Sequence, residues 1–315
     1  MYSTLYKNEV NLQDTMNEKK YYYSEIFYSI QGEGHYTGVP SAWIRFFMCN
    51  LQCNGFGQRN PTNPQTYELP FLDFDVSTVK NVEDLPVWDK GCDSSYTWAK
   101  KYKHLMGHET PKDLATKIID ILKNEHNPEG LFQHPLSGQE QHLCITGGEP
   151  LLRANQKAIM GIYSELQRRD NIPRHITFES NGTQKLKEEF IEWGQQIKEQ
   201  TEIFFSVSPK LYSVSGETPK KAIKPEIVGS YREISQFGQL KFVLGSQQEQ
   251  WDEMEEVIKK FRKVGVDWPV WIMPVGGREE EQITTAGDIA TKAFHRGYNV
   301  ATRVHVYLFG NAIGT

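Results

Sequence analysis

Cys49 and Cys53, in Phe46-Phe47-Met48-Cys49-Asn50-Leu51-Gln52-Cys53, and the distant Cys92, in Gly91-Cys92-Asp93-Ser94, are the residues best suited to chemistry in this chain. Four cysteines in 315 residues are too few for a disulfide scaffold, and reduced thiols are free to bind metal. Three thiolates can hold an iron–sulfur cluster with one iron open to a ligand. A fourth would close the site and favour plain electron transfer. The same three residues also suit half of a zinc knuckle, or an ordinary buried core. Cys144, the fourth, lies in the apolar run His142-Leu143-Cys144-Ile145-Thr146, which suits a core role.

The elements that must position these thiols alternate strand with helix. Strands are expected at 41–47, 142–146, 175–180, 203–208, 239–244, 270–273 and 302–308. A helix capped by Thr110 starts at Pro111 and carries Leu114, Ile118, Ile119 and Leu122 on one face. Further helices are expected near 156–169, 185–200, 247–264 and 283–296. Such alternation implies parallel strands with crossover helices, an α/β sheet or barrel. Polar and glycine-rich residues gather just after strands, at Thr146-Gly147-Gly148-Glu149-Pro150, Ser180-Asn181-Gly182-Thr183, Ser208-Pro209-Lys210 and Pro274-Val275-Gly276-Gly277. Each could be only a turn. Together, at the carboxyl ends of parallel strands, they point to one shared pocket. Residues 54–91 break the alternation, with many Asn, Pro and Asp, and so do residues 124–141. Loops beyond about 15 residues in a compact domain are usually functional or inserted. The first lies between two candidate ligands and reads as an insertion that begins and ends at one point in space.

Composition narrows the classes. The net charge of −5 gives no electrostatic case for tight, direct nucleic-acid binding. No run approaches ~20 apolar residues, so no membrane span is expected. The start, Met1-Tyr2-Ser3-Thr4-Leu5-Tyr6-Lys7, lacks an apolar segment, and a cytoplasmic location is expected.

The motifs resemble those of the radical S-adenosylmethionine enzymes and, within them, of the 7-carboxy-7-deazaguanine synthases. The resemblance runs through Phe27-Tyr28-Ser29-Ile30-Gln31-Gly32-Glu33-Gly34, Gly38, Pro40 and Ile44-Arg45 to the cysteines. It resumes at Ile145-Thr146-Gly147-Gly148-Glu149-Pro150-Leu151-Leu152, Glu179-Ser180-Asn181-Gly182-Thr183 and Ser208-Pro209-Lys210, and closes at Arg303-Val304-His305-Val306 and Gly310-Asn311. It therefore covers nearly all of residues 1–315 as one core domain, with 54–91 inserted in it. The fold it implies is a partial, parallel β/α barrel. One departure is plain. The family has two residues between its second and third cysteines, and here Phe56 stands at that third position. Cys92 carries the family's sequel in Asp93 and Ser94, so it is read as the displaced third ligand.

By that resemblance Cys49, Cys53 and Cys92 bind a 4Fe–4S cluster whose open iron takes S-adenosylmethionine, cleaved reductively to a 5′-deoxyadenosyl radical. Gly147, Gly148 and Glu149 are implied to meet its methionine part. Ser180, Asn181, Ser208, Pro209, Lys210, Met273, Pro274, Val275 and Gly276 are implied to hold its carboxylate, ribose and adenine. The implied substrate is 6-carboxy-5,6,7,8-tetrahydropterin, met by Ile30, Gln31, Gly32, Glu33, Arg45, Thr146, His305 and the terminal Thr315. Arg45 suits its carboxylate, because guanidinium is a planar two-pronged donor and a charge in an apolar strand needs a partner. An internal ion pair is the other way to satisfy it. Ser94 matches a family threonine that binds Mg²⁺, a cation that prefers oxygen. The reaction implied is hydrogen abstraction, ring contraction and loss of ammonia to give 7-carboxy-7-deazaguanine, a lyase step toward queuosine or another 7-deazapurine nucleoside. An electron donor such as flavodoxin or ferredoxin, and a homodimer, follow from the same resemblance. Two other readings stay open on sequence alone: a glycyl-radical activase, and a zinc-binding interaction module completed by His104 or His108.

Overall fold

The computed structural model describes residues 19–314. A hairpin opens it: β1 (Tyr21–Ile30) pairs antiparallel with β2 (Pro40–Phe46), and the short β3 (Gly107–Glu109) adds to the outer edge of β1. From β2 onward every pairing is parallel, through β4 (His142–Gly147), β5 (His175–Ser180), β6 (Glu202–Val207), β7 (Phe237–Leu244), β8 (Val270–Pro274) and β9 (Asn299–Val300). The sheet order is β3-β1-β2-β4-β5-β6-β7-β8-β9, with two free edges, so the barrel is incomplete.

The crossover helices form where apolar residues recur at helical spacing. In α1 (Pro111–Leu122), Thr110 Oγ1 accepts the Asp113 N–H at 3.2 Å and Pro111 begins the first turn. Its buried face carries Leu114, Ala115, Ile118 and Leu122. The next helices, α2 (Arg153–Arg168) and α3 (Glu188–Ile197), bury Ile159, Ile162 and Leu166, and Phe190 and Ile197. Trp251, Met254, Ile258 and Phe261 do the same for α4 (Gln248–Lys263). These faces and the apolar strand residues form one core. Register brings the carboxyl ends level: Arg45 lies opposite Thr146, Phe46 opposite Gly147, and Ser180 opposite Val207. The loops that follow therefore converge.

Residues 54–91 leave the core and return to the same point, where the Gly91 N–H donates to the Phe56 carbonyl at 2.8 Å. Phe71, Val82, Leu85 and Trp88 build a second, smaller apolar cluster there. It reaches beyond the segment to Tyr96, Ala99 and Tyr102, and Ile313 packs against it.

The segment 302–308, expected as a strand, is not one. The last helix but one, α5 (Glu279–His295), leads into β9, which lasts two residues, and then α6 (Val304–Phe309) begins. The Val304 N–H donates to the Gly32 carbonyl at 3.0 Å, which turns the chain across the open end of the sheet. Alternating β-branched and aromatic residues read as a strand locally, but the bond to Gly32 carries them away from the free edge beside β9. His305 is thus placed by a helix.

Candidate active site

One cavity of about 320 Å³ opens at the carboxyl ends of the parallel strands, and it contains Cys49, Cys53 and Cys92. That size is within the range of small-molecule sites. The loop carrying Cys49 and Cys53 is bracketed by two non-glycine residues of positive φ, Met48 at 91° and Cys53 at 52°. Such strain persists only where surrounding bonds over-determine the backbone. Those bonds are present: the Met48 N–H donates to Thr97 O at 2.7 Å, and Glu217 Oε1 accepts the Gln52 and Cys53 N–H groups at 2.6 and 3.0 Å. The Leu51 N–H and the Asn181 side-chain amide approach Cys49 Sγ at 3.4 and 3.9 Å. Lys210 lies over the Phe56 ring, 5.7 Å from its centroid, with Nζ on Ser208 Oγ at 2.9 Å. Burial pushes the thiol of Cys49 up to about 12 and that of Cys92 up to about 11, and Cys53 well above its ordinary value. Lys210 opposes all three shifts. Binding of a metal group must therefore displace thiol protons.

The Gly147-Gly148-Glu149 turn lies directly against that loop. A Cβ on Gly148 would stand 2.4 Å from Met48 O and 2.6 Å from Cys49 Cβ, so only glycine allows the approach. The Glu149 N–H donates to Met48 O at 2.9 Å. Its carboxylate is fully buried and accepts from Leu151 N–H, Ser180 Oγ and Asn181 N–H at 2.8–2.9 Å. Burial pushes it up to about 7 against those donors. Glu149 thus ties the turn after β4 to the turn after β5.

The other wall is charged. Lys241, on β7 and almost fully buried, pairs with Glu33 Oε2 at 2.5 Å and Glu179 Oε2 at 2.9 Å. Gln31 Nε2 donates to Glu179 Oε1 at 3.0 Å. Arg303 approaches Glu33 at 3.5 Å and donates to Asp93 Oδ2 at 2.9 Å, while Ser94 Oγ donates to Asp93 Oδ1 at 3.0 Å. Burial opposes ionisation of Glu33, but Lys241, Arg303 and His305 outweigh it and hold the carboxyl below the usual range. Arg45 pairs through Nε with Glu25 Oε1 at 2.6 Å. His305 packs on Gly32, where a Cβ would come 1.9 Å from its Nδ1.

No protein-family model matches the chain. Among curated proteins it is 26% identical over 312 residues to the 7-carboxy-7-deazaguanine synthase of Halobacterium salinarum, covering 92% of this chain and 90% of that one. It is also 26% identical over 305 residues to the synthase of the same name from Rhodopirellula baltica, with 93% and 88% covered. The fold matches QueE from Escherichia coli with a TM-score of 0.50 at 17% identity, over 93% of this chain and 98% of that one. Over about nine tenths of its length the chain is thus similar to proteins named 7-carboxy-7-deazaguanine synthase.

Most positions named by resemblance to the 7-carboxy-7-deazaguanine synthases line the one cavity. Ile30, Gln31, Gly32, Glu33, Arg45, Thr146 and His305 do so, as do Gly147, Gly148, Ser180 and Asn181. Ser208, Lys210, Met273, Val275, Gly276 and Ser94 complete them. Glu149, Pro209 and Pro274 stand behind the lining, and Glu149 holds Ser180 and Asn181 from there. Thr315 lies outside the described residues. Cys144 is fully buried in β4 and does not line the cavity; its Sγ lies 4.0 Å from Gln31 Nε2, behind the wall. His104 and His108 do not line it either: His104 bonds Lys101 O, and His108 stacks on Tyr22. Among the described residues no group of three His, Cys, Asp or Glu could hold a single metal ion. A mononuclear zinc site needs its ligands about 2.0–2.3 Å from one point, whereas a cluster binds each thiolate to a different iron.

Sequence reasoning gave no role to Glu25, Asp93, Tyr96, Glu179, Lys241, Arg303 or Glu217. Lys241 was findable by the argument used for Arg45, since it is a lone charge in the apolar run Gln239-Leu240-Lys241-Phe242-Val243-Leu244. No local pattern announces Glu217 or Tyr96, which act across the fold.

Proposed function

We propose that the protein contracts the ring of 6-carboxy-5,6,7,8-tetrahydropterin to 7-carboxy-7-deazaguanine with loss of ammonia, as a radical S-adenosylmethionine enzyme. The observation that carries this reading is the convergence of Cys49 and Cys53 with the sequence-distant Cys92 on the same cavity as Gln31, Glu33, Arg45 and His305. Cys49, Cys53 and Cys92 would hold a 4Fe–4S cluster, and the residues present fit it. The thiols share one wall, Gly148 leaves room beside Cys49, and Leu51 N–H, Asn181 and Lys210 offset thiolate charge. Bound there with S-adenosylmethionine, the cluster supplies one-electron chemistry able to abstract a substrate hydrogen.

The chain's own residues bind, orient and exclude water. Ser180, Asn181, Ser208 and Lys210, with Met273, Val275 and Gly276, present polar groups and backbone to S-adenosylmethionine at the strand ends. Glu33, kept ionised by Lys241 and Arg303, accepts from the N–H groups of the pterin edge, and Gln31 is held beside it by Glu179. Arg45 takes the carboxylate. Ser94 and Asp93 are oxygen donors of the kind Mg²⁺ prefers, and the metal would be shared with substrate. Residues 87–89 of the inserted segment and 310–314 of the C-terminal stretch wall the cavity and limit water access. The same reading includes a cytoplasmic homodimer, a single core domain with 54–91 inserted, and reduction by flavodoxin or ferredoxin. No helix of the described residues is long and apolar enough to cross a membrane.

The test is anaerobic turnover of 6-carboxytetrahydropterin by cluster-loaded protein with S-adenosylmethionine, reductant and Mg²⁺. Formation of 7-carboxy-7-deazaguanine is expected. Its absence from protein with a full complement of iron would overturn the reading.

A further inference from the structure

Arg45 faces the cavity from β2, directly opposite Glu25 on β1. That opposition depends on an irregularity. The register runs Tyr23 with Phe46, then Glu25 with Arg45, so Ser24 is the extra residue of a β-bulge. A bulge re-aims the side chains that follow it. Here Ser24 and Glu25 are both buried, and Glu25 is brought onto Arg45. Glu25 Oε1 accepts two bonds, from Arg45 Nε at 2.6 Å and from the Tyr96 hydroxyl at 2.7 Å. The Phe27 ring lies against the guanidinium, 5.9 Å from Cζ. Among the described residues the terminal amino groups of Arg45 donate to none. Nε is therefore tied, one face is covered, and no described residue takes the two-pronged edge.

We propose that Glu25 and Tyr96 are positioning residues for Arg45, fixing the direction of its free edge and thereby the preference for a carboxylated over an uncharged pterin. The proposal rests on the reading that Arg45 takes the substrate carboxylate. A merely structural ion pair would not need this geometry. It could lie anywhere in the core, and it would gain nothing from a tyrosine drawing on the same oxygen. The Tyr96 hydroxyl shares the charge of Glu25 Oε1, so the carboxylate orients the guanidinium without neutralising it fully. Tyr96 lies four residues beyond Cys92, in a turn that the Thr97 hydroxyl closes by donating to Ser94 O at 2.7 Å. The segment that returns the third thiol to the cavity thus also sets the cation that meets the substrate.

The experiment measures binding of 6-carboxypterin and of pterin, stable oxidised ligands with and without the carboxylate, to full-length cluster-loaded protein with S-adenosylmethionine. Tyr96→Phe, Glu25→Gln and Arg45→Met are compared with the parent. Arg45→Met is expected to weaken 6-carboxypterin by about 10- to 100-fold, the loss of charge-assisted bonds, and pterin by less than about twofold. Glu25→Gln is expected to weaken 6-carboxypterin about tenfold and Tyr96→Phe about threefold, again sparing pterin, with iron per chain unchanged. Equal losses for both ligands, or no loss in Glu25→Gln and Tyr96→Phe while Arg45→Met discriminates, would overturn the positioning role and leave the reading of Arg45 intact. An unchanged ratio in Arg45→Met would overturn that reading and the proposal with it. If Glu25→Gln does not fold, Tyr96→Phe decides alone.

Discussion

Both ends of the parallel strands carry ionisable side chains, and they handle charge in opposite ways. At the carboxyl end three buried cations are paired: Lys241 between Glu33 and Glu179, Arg303 between Glu33 and Asp93, Arg45 on Glu25. At the amino end His142, the first residue of β4, stacks on His175, the first of β5, with ring centroids 4.4 Å apart. Tyr36, from the β1–β2 turn, closes over His142 edge-on and donates to Glu202. Burial first, and His175 second, push His142 down to about 4, so it is neutral near pH 7. One end keeps its groups charged by pairing them, and the other keeps an imidazole uncharged by burying it. A polar cavity needs fixed charges to orient a ligand; a plug needs only to exclude water.

The most severe break in this contrast is removal of the third thiol. Cys92→Ala is expected to abolish turnover and to lower bound iron sharply. Cys144→Ala, in the core below the cavity, should keep its iron; the reverse pattern, read by iron content per chain, would reassign the ligand. Next in size, Lys241→Met leaves Glu179 without a cationic partner and Glu33 with Arg303 alone. Denaturant unfolding should show a loss of about 3–5 kcal/mol. At the amino end the expected effect depends on pH. His142 titrates near 6.5 when unfolded and about 4 when folded, so below 6.5 the unfolded state binds more protons. Stability is therefore present above about 6.5 and lost as pH falls toward 4, by on the order of 2–3 kcal/mol. Glu149, raised to about 7, acts with the opposite sign, destabilising as pH rises from its unfolded value toward 7. The difference between His142→Gln and its parent across pH 4–7 isolates the histidine, and parallel curves would show that the ring is not held neutral. Smallest, Tyr36→Phe should cost about 1 kcal/mol in thermal or denaturant unfolding, with turnover unaffected, because it removes one bond far from the cavity.

How much of this was legible in the sequence follows from range. The parallel strands and their helices were readable because burial on both faces and helical periodicity are local patterns, as in β4 and α4. The polar strand ends were readable for the same reason, and Arg45 because a charge in an apolar run stands out. The antiparallel hairpin of β1 with β2 was not read as a sheet edge, since Tyr21 to Ile30 alternates only partly and its bulge is set by a partner strand. The segment from Val304 to Phe309 has strand-like composition, and its helix is imposed by the bond to Gly32 and the end of the sheet. Glu217 and Tyr96 carry no mark of their own, because each becomes meaningful only when a loop from far away reaches it.

The bond between Gly91 and Phe56 has a consequence for how this chain can change over generations. It makes the intervening stretch a cassette whose two ends meet at one point and whose middle is anchored on Tyr96, Tyr102 and Ile313. Closing a loop twice as long costs only about 0.6 kcal/mol more, so length here is nearly free to drift. What cannot drift cheaply is the apolar cluster of Phe71, Val82 and Leu85 and the short piece at 87–89 that walls the cavity. Exchange of the cassette would thus reshape the ceiling over the ligand while Cys92 stays at its post.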